Sequence, residues 1–208
     1  MVNWDRKYED AGPGQLFGHG ANSYVRFVKE TYGASARNAL CLADGDGRNG
    51  RWLAQAGLDV TAVDLSQVAT DFAQNSDAES GVRVERICAD LTDWEPPQDR
   101  TWDLVFVMYL QCEMEVRLRA LGLGLAALAS GGVIALEGFA QDQSKSSLEP
   151  TAQTAGPKDV SLLYSADMLE AEFSDAVVLE ILAGRIRLDE GQKHQGLGHV
   201  IRFCARKT

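Results

Sequence analysis

Cysteine is scarce and scattered. The four residues, Cys41, Cys88, Cys112 and Cys204, include no Cys-x-x-Cys pair and no zinc spacing. That excludes a dithiol redox motif, a zinc module and a disulfide framework, and no metal site is expected. Free thiols fit a reducing compartment, so a cytoplasmic location is expected. Proline is equally thin, at 5 residues, too few for a rigid linker or a proline-rich tract. Positive charge is in deficit, with 20 Lys+Arg against 30 Asp+Glu for a net charge of -10. Such a surface repels phosphate backbones and anionic lipid, so neither nucleic acid nor membrane is expected as a partner. Long apolar runs are missing too. The uncharged stretch from Ala120 to Leu136 is broken by Ser130-Gly131-Gly132 and reads as helix, turn, strand. The segment MVNWDRKYED is too polar for a signal peptide. No internal repeat is visible, and nothing in the sequence specifies an oligomeric state.

What is present is a 208-residue chain, 45% hydrophobic and 24% charged, long enough for one domain with a full core. After an N-terminal arm over 1–36, residues 39–43 (ALCLA) form an apolar run entering a glycine-rich turn, hence a buried strand. Asn49 to Ala56 reads as a helix stopped by Gly57. Val60–Val63 is a second strand, and Ser66 caps a helix over Gln67–Asn75. Val82–Ile87 alternates apolar and charged, as at a sheet margin. Leu104–Leu110 is an unbroken apolar run of strand length. Leu118, Leu121, Leu125 and Leu128 recur at helical spacing, and Val133–Phe139 makes a fifth strand. The polar stretch 141–160 reads as a long loop. Ser165 caps a helix through Phe173, and Val177–Leu188 and His199–Ala205 form two strands joined by DEGQKHQGLG as a hairpin. This alternation predicts an α/β fold, a mostly parallel Rossmann-like sheet ending in an antiparallel hairpin strand.

Ligands of such sheets sit outside the carboxyl ends of the strands. Strand one ends in Asp44-Gly45-Asp46-Gly47-Arg48-Asn49, where glycine lets the backbone approach a ligand closely. Strand two ends in Asp64-Leu65-Ser66, with a carboxylate suited to the two hydroxyls of a ribose. Strand three is followed by Ala89-Asp90-Leu91, an acceptor for an exocyclic amine beside an apolar flank for a flat base. Strand four ends in Met108-Tyr109-Leu110, closing the pocket. Acidic and apolar groups at successive strand ends suit a nucleoside that lacks phosphate and bears a cation, as S-adenosylmethionine (SAM) does. Gly45-x-Gly47-x-x-Gly50 also matches the dinucleotide fingerprint, with Asp64 at the expected distance, so an NAD-dependent oxidoreductase is the rival reading. Asp44 and Asp46 are poor company for a pyrophosphate.

The run ALCLADGDGRNGRWLAQAGLDVTAVDLS resembles the nucleotide-binding core of class I SAM-dependent methyltransferases, and in particular the bacterial group around the tellurite-resistance and thiopurine S-methyltransferases. Ala89-Asp90-Leu91 with Trp94, Trp102-Asp103-Leu104-Val105, Leu163-Tyr164-Ser165, and Trp4, Tyr8, Phe17 and Asn22 in the arm are similar to that group as well. The resemblance implies a methyltransferase domain over 1–208, with arm and loop as lids, acting on a thiol, a chalcogen oxyanion or another compact nucleophile. It implies that Gly45 and Gly47 approach the methionine part of SAM, Asp64 holds the ribose, and Asp90 and Leu91 hold the adenine. Two positions depart from the family pattern: an acid is usual at 41 and a glycine at 43, where this chain has Cys41 and Ala43. Asp44 or Asp46 is the candidate to supply the missing charge. A SAM-binding protein without catalysis is therefore a third reading.

A base is needed only if the acceptor arrives protonated. Tyr109 and His194 are the catalytic candidates, followed by Tyr164, His19 and Cys112. For His194, an exposed hairpin position is the competing expectation, and Trp4 and Phe17 could equally be packing residues. The paired arginines 185 and 187 share one strand face and could place a small basic spot near the pocket mouth.

Overall fold

Three largely apolar segments build the centre of the sheet because helices cover both of its faces. These are β1 (Asn38–Leu42), β2 (Asp59–Asp64) and β4 (Trp102–Met108). The buried polar Thr61 in β2 is satisfied by donating its hydroxyl to Glu85. The computed structural model describes residues 2–141 and 155–208. The remaining strands are β3 (Glu85–Cys88), β5 (Leu128–Phe139), β6 (Ala176–Glu190) and β7 (His194–Lys207). The strand order is β3-β2-β1-β4-β5-β7-β6. The first five run parallel, and β7 inserts antiparallel between β5 and β6. The dinucleotide-binding order 3-2-1-4-5-6 has no such inserted strand.

The period of two along each strand divides the core. Leu40 and Leu42 pack with Val105, Val107, Leu121 and Phe203 on one side. Ala39 and Cys41 pack with Leu53, Phe106, Tyr24 and Val25 on the other. The helices start where a side chain can satisfy free amide groups. Asn22 caps α2 (Ser23–Thr31), Ser66 caps α4 (Gln67–Glu79) and Ser165 caps α6 (Ala166–Glu172). α3 (Arg48–Gln55) begins instead at Gly47, at φ 85°, and α5 (Met114–Ala127) follows Glu113.

The sequence reading holds for the sheet and misses the arm, which carries α1 (Trp4–Ala11) and α2. Tyr8 and Leu16 of the arm bury themselves beside Ala69 of α4, so its apolar face exists only in the docked state. The hairpin is tighter than expected: β6 and β7 pair from Ala176–Lys207 to Glu190–His194, leaving only residues 191–193 in the turn. Of the stretch read as a loop over 141–160, residues 142–154 lie outside the described residues. Beyond them the backbone of Ala155 pairs with Leu197, and a single 3-10 turn spans Val160–Leu162. Among the described residues, no helix is long and apolar enough to cross a membrane.

Candidate active site

The order reverses between β1 and β4, and the two residues that follow these strands are strained. Ala43 has φ 57° and Tyr109 φ 53°, the two non-glycine residues with left-handed backbone among the described residues, a conformation that a Cβ disfavours by roughly 1–2 kcal/mol. Both line the same cavity, of about 320 Å³, and strain of this kind clusters where a site demands it. At Ala43 the chain turns after its amide donates to the Val63 carbonyl at 2.8 Å. Ala43→Gly should remove that strain while adding unfolded-state entropy, for a net gain of about 0.5–1 kcal/mol. Urea denaturation measures it, and an unchanged or lower midpoint would show that Ala43 is not strained.

A buried ionic clamp fixes the glycine turn. Arg86 of β3 donates to Asp44 at 2.6 Å, to both carboxylate oxygens of Asp77 at 2.9 and 3.1 Å, and to the Gly47 carbonyl at 3.1 Å. Burial works against the arginine's charge, and Asp44 and Asp77 outweigh it. A side chain at Gly47 would strike the Arg86 guanidinium and Ala73, and one at Gly50 would strike Asp44. The fingerprint glycines Gly47 and Gly50 thus make room for the clamp. Asp44, which also accepts from the Gly50 amide, has its charge matched within the protein. Asp46 accepts the Gly14 amide of the arm at 2.9 Å, and burial raises its pKa. Cys41 faces the α2–α3 side of the sheet, fully buried and away from the cavity.

Asp64 is set by the backbone. One carboxylate oxygen accepts from Gly45 N at 2.7 Å and the other from Ser66 N at 2.9 Å. Burial, with Asp44 and Asp46 nearby, raises its pKa to about 6 despite both amides. Asp90 accepts from the Thr92 amide and hydroxyl with one oxygen. Asp64, Leu65, Asp90, Leu91, Met108 and Tyr109 all line the cavity, as do Asp44, Gly45, Asp46 and Asn49. Gly47, Ser66 and Ala89 do not. Gly47 belongs to the clamp. Ser66 is occupied as a cap, accepting from Ala69 N and donating to Asp5 of the arm at 2.6 Å. Ala89 donates its amide to the Asp64 carbonyl.

His194 is buried in the cavity wall, not exposed at a hairpin tip. Its Nδ1 lies 3.3 Å from Glu190 Oε2, and that carboxylate also receives Arg48 at 2.9 Å. Burial lowers the His194 pKa more than Glu190 restores it, which leaves the ring neutral at pH 7. Burial likewise opposes the charge on Glu190, but its hydrogen bond to His194 and the Arg48 guanidinium keep it ionised. The His194 ring lies 4.1 Å from that of Tyr109, 4.9 Å from Phe17 and 5.5 Å from Phe139. The Tyr109 hydroxyl is buried, and burial together with the Glu137 carboxylate raises its pKa well above the usual phenol range.

The arm closes this wall. Arg48 donates to the carbonyls of Phe17 and Gly20, while Gln192 and Lys193 of the hairpin turn pair with Gln15 and Leu16. Trp4, Tyr8 and Phe17 pack together and line the cavity. Of the other candidates, Cys112 lines it, its thiol pushed up to about 11 by burial. Tyr164 does not: its hydroxyl donates to Leu110 O and its ring lies under Arg117. His19 is exposed and also apart from the cavity. Arg185 and Arg187 are exposed on β6 and contribute nothing to the lining. Arg86, Glu190 and the arm contacts of Arg48 were not visible in the sequence. Their partners lie 9 to 142 residues away or across a hairpin turn, and no local motif signals them.

Residues 39–132 match the profile of a methyltransferase-domain family. No curated protein sequence gives a match. TehB from Haemophilus influenzae shares the fold with a TM-score of 0.69 at 17% identity, over 89% of this chain and 61% of TehB, so the chain spans less than two thirds of that protein. A protein solved in work on the conversion of a disulfide bond into a thioacetal group during echinomycin biosynthesis gives 0.72 at 19%, over 98% and 90%. The plantazolicin methyltransferase BpumL, in complex with a desmethylPZN analog and SAH, gives 0.64 at 12%, over 89% and 82%. Identities this low carry the fold alone. The match over residues 39–132 thus makes that part of the chain similar to a methyltransferase domain, and the seven-strand architecture is the fold that these solved structures share.

Proposed function

We propose that the protein transfers the methyl group of SAM to a small-molecule acceptor that is a compact nucleophile, such as a thiol. The domain takes in residues 1–208, with the arm as a lid. The observation that carries this reading is the Asp64 carboxylate, held at the end of β2 by two backbone amides inside a cavity whose size suits a cofactor and a compact partner. With Asp64 on the ribose and Asp90 and Leu91 on the adenine, the methionine portion lies over Gly45. Asp46 answers its ammonium there, since Asp44 is matched by Arg86. The cofactor supplies an activated methyl on a sulfonium. The chain aligns the reactants and keeps water out, with Trp4, Tyr8 and Phe17 over the site, and this alignment supplies much of the acceleration. His194 receives the acceptor's proton, and Glu190, bound to Nδ1, orients it. Acids at the glycine turn disfavour the pyrophosphate of NAD.

Titration calorimetry with SAM and NAD, followed by a methyl-transfer assay over an acceptor panel, tests the proposal. SAM should bind and NAD should not. Asp64→Ala should lower SAM affinity about ten- to a hundredfold, the equivalent of roughly 1.5–3 kcal/mol for a charged acceptor. Ribose hydroxyls favour the ionised carboxylate, so affinity should level off well above pH 6 and fall as pH drops through about 6, where Asp64 takes up a proton. Unchanged affinity in the variant, or a pH-independent one in the parent, removes Asp64 from the site.

A further inference from the structure

The charges lining the cavity are unequal. Asp44, Asp46, Asp64, Asp90 and Glu113 are acidic, and Arg48 is the one cation among the described lining residues, His194 being neutral. Asp44 is neutralised by Arg86 at 2.6 Å, and Arg48 is matched by Glu190 at 2.9 Å. Four carboxylates remain against the single net positive charge of SAM, so the loaded site stays negative. An independent feature lies at the acceptor end. The rings of Phe17 and Tyr109 line the cavity beside His194, and aromatic rings favour apolar and cationic partners over anions. The buried Tyr109 hydroxyl is kept protonated at that end by burial and by the Glu137 carboxylate.

We infer that the acceptor is an uncharged or cationic apolar or aromatic nucleophile that arrives carrying its own proton, and that anions, chalcogen oxyanions included, are rejected. This rests on the methyl-transfer reading and narrows it. In the step itself, an uncharged acceptor's lone pair forms the bond to the methyl carbon while its proton passes to neutral His194; a cationic acceptor gives His194 its proton first, which frees the lone pair. The methyl–sulfur bond breaks with its pair kept on sulfur. For an uncharged acceptor one positive charge enters, on the sulfonium, and one leaves, on the imidazolium; for a cationic acceptor two enter and two leave, on the imidazolium and the methylated acceptor.

The experiment uses size-matched probes: benzylammonium, benzyl alcohol and benzoate, with selenite as the oxyanion. Each is titrated into the free and the SAH-saturated protein by calorimetry. Benzylammonium should bind at least about tenfold more tightly than benzoate, with benzyl alcohol between them, and selenite should not bind. Glu113→Gln, at the cavity rim, should narrow the preference. Benzoate or selenite binding as tightly as benzylammonium overturns the inference, as does a failure of all three benzyl probes to bind or a preference untouched by Glu113→Gln. SAH binding is read in the same titrations, so failure of the methyl-transfer reading shows as loss of SAH binding and is distinct from failure of the charge preference.

Discussion

Replacing Arg86 with methionine should destabilise the protein by about 3–5 kcal/mol, the cost typical of leaving a buried partner charge uncompensated. Asp77 keeps Arg51 at 3.5 Å, but Asp44 keeps only the Gly50 amide and becomes a buried carboxylate without a counter-charge. The glycine turn loses its tie to β3 at the Gly47 carbonyl at the same time, so SAM affinity should fall along with stability. Urea denaturation of the parent and of Arg86→Met gives the first number. A second variant, Arg86→Met with Asp44→Asn, separates the causes. If the unpaired charge is responsible, the double variant recovers a large part of the loss. Equal midpoints for parent and Arg86→Met would show that the clamp contributes nothing.

His194→Ala should reduce kcat by about 10²–10⁴-fold, the span of a positioned proton acceptor, measured with the acceptor that the panel finds fastest. SAH affinity should stay within a few-fold, because the cofactor contacts assigned to Asp64, Asp90 and Asp46 are untouched. The pH profile supplies a readout that a packing role would not move. Neutral His194 is the active form and burial lowers its pKa, so kcat at saturating SAM should hold from pH 7 to below 6.5 and fall only at lower pH. Glu190→Gln removes the influence that raises the His194 pKa and leaves Arg48 beside it. The acidic limb should then move to lower pH, while kcat drops as the ring loses its orienting partner. A parental profile in His194→Ala, scaled or not, would rule out histidine as the base.

How far the sequence could be read depended on the range of the physical signal. β1, β2 and β4 were legible because burial on both faces writes a largely apolar run into consecutive residues. Ser66 and Ser165 were legible as caps because a cap acts within three residues. Asp64 and Asp90 were marked by position, each directly after a strand. Arg86 was not marked. It sits in an alternating edge strand whose solvated positions are ordinarily charged, and only the fold brings Asp44 and Asp77 to it. His194 reads as exposed because a short polar turn is usually solvated. It is buried because Phe17, from the far end of the chain, lies against its ring. The helices of the arm escaped for the same reason: α1 has a narrow apolar stripe, Trp4, Tyr8 and Ala11, that acquires meaning only against α4.

The insertion of β7 between β5 and β6 has a consequence for synthesis. During translation β6 emerges before β7, and until β7 follows it has no neighbour to pair with, while β5 presents a bare edge. Both are templates for another chain in the same condition. The turn that anchors Gln15 and Leu16 does not exist until then either, so the arm, made first, waits on nearly the entire chain before it can dock. The nascent protein therefore assembles its ligand-facing turns well before it can cover them, and the interval between β6 and β7 is when a ribosome-bound chaperone has most to shield.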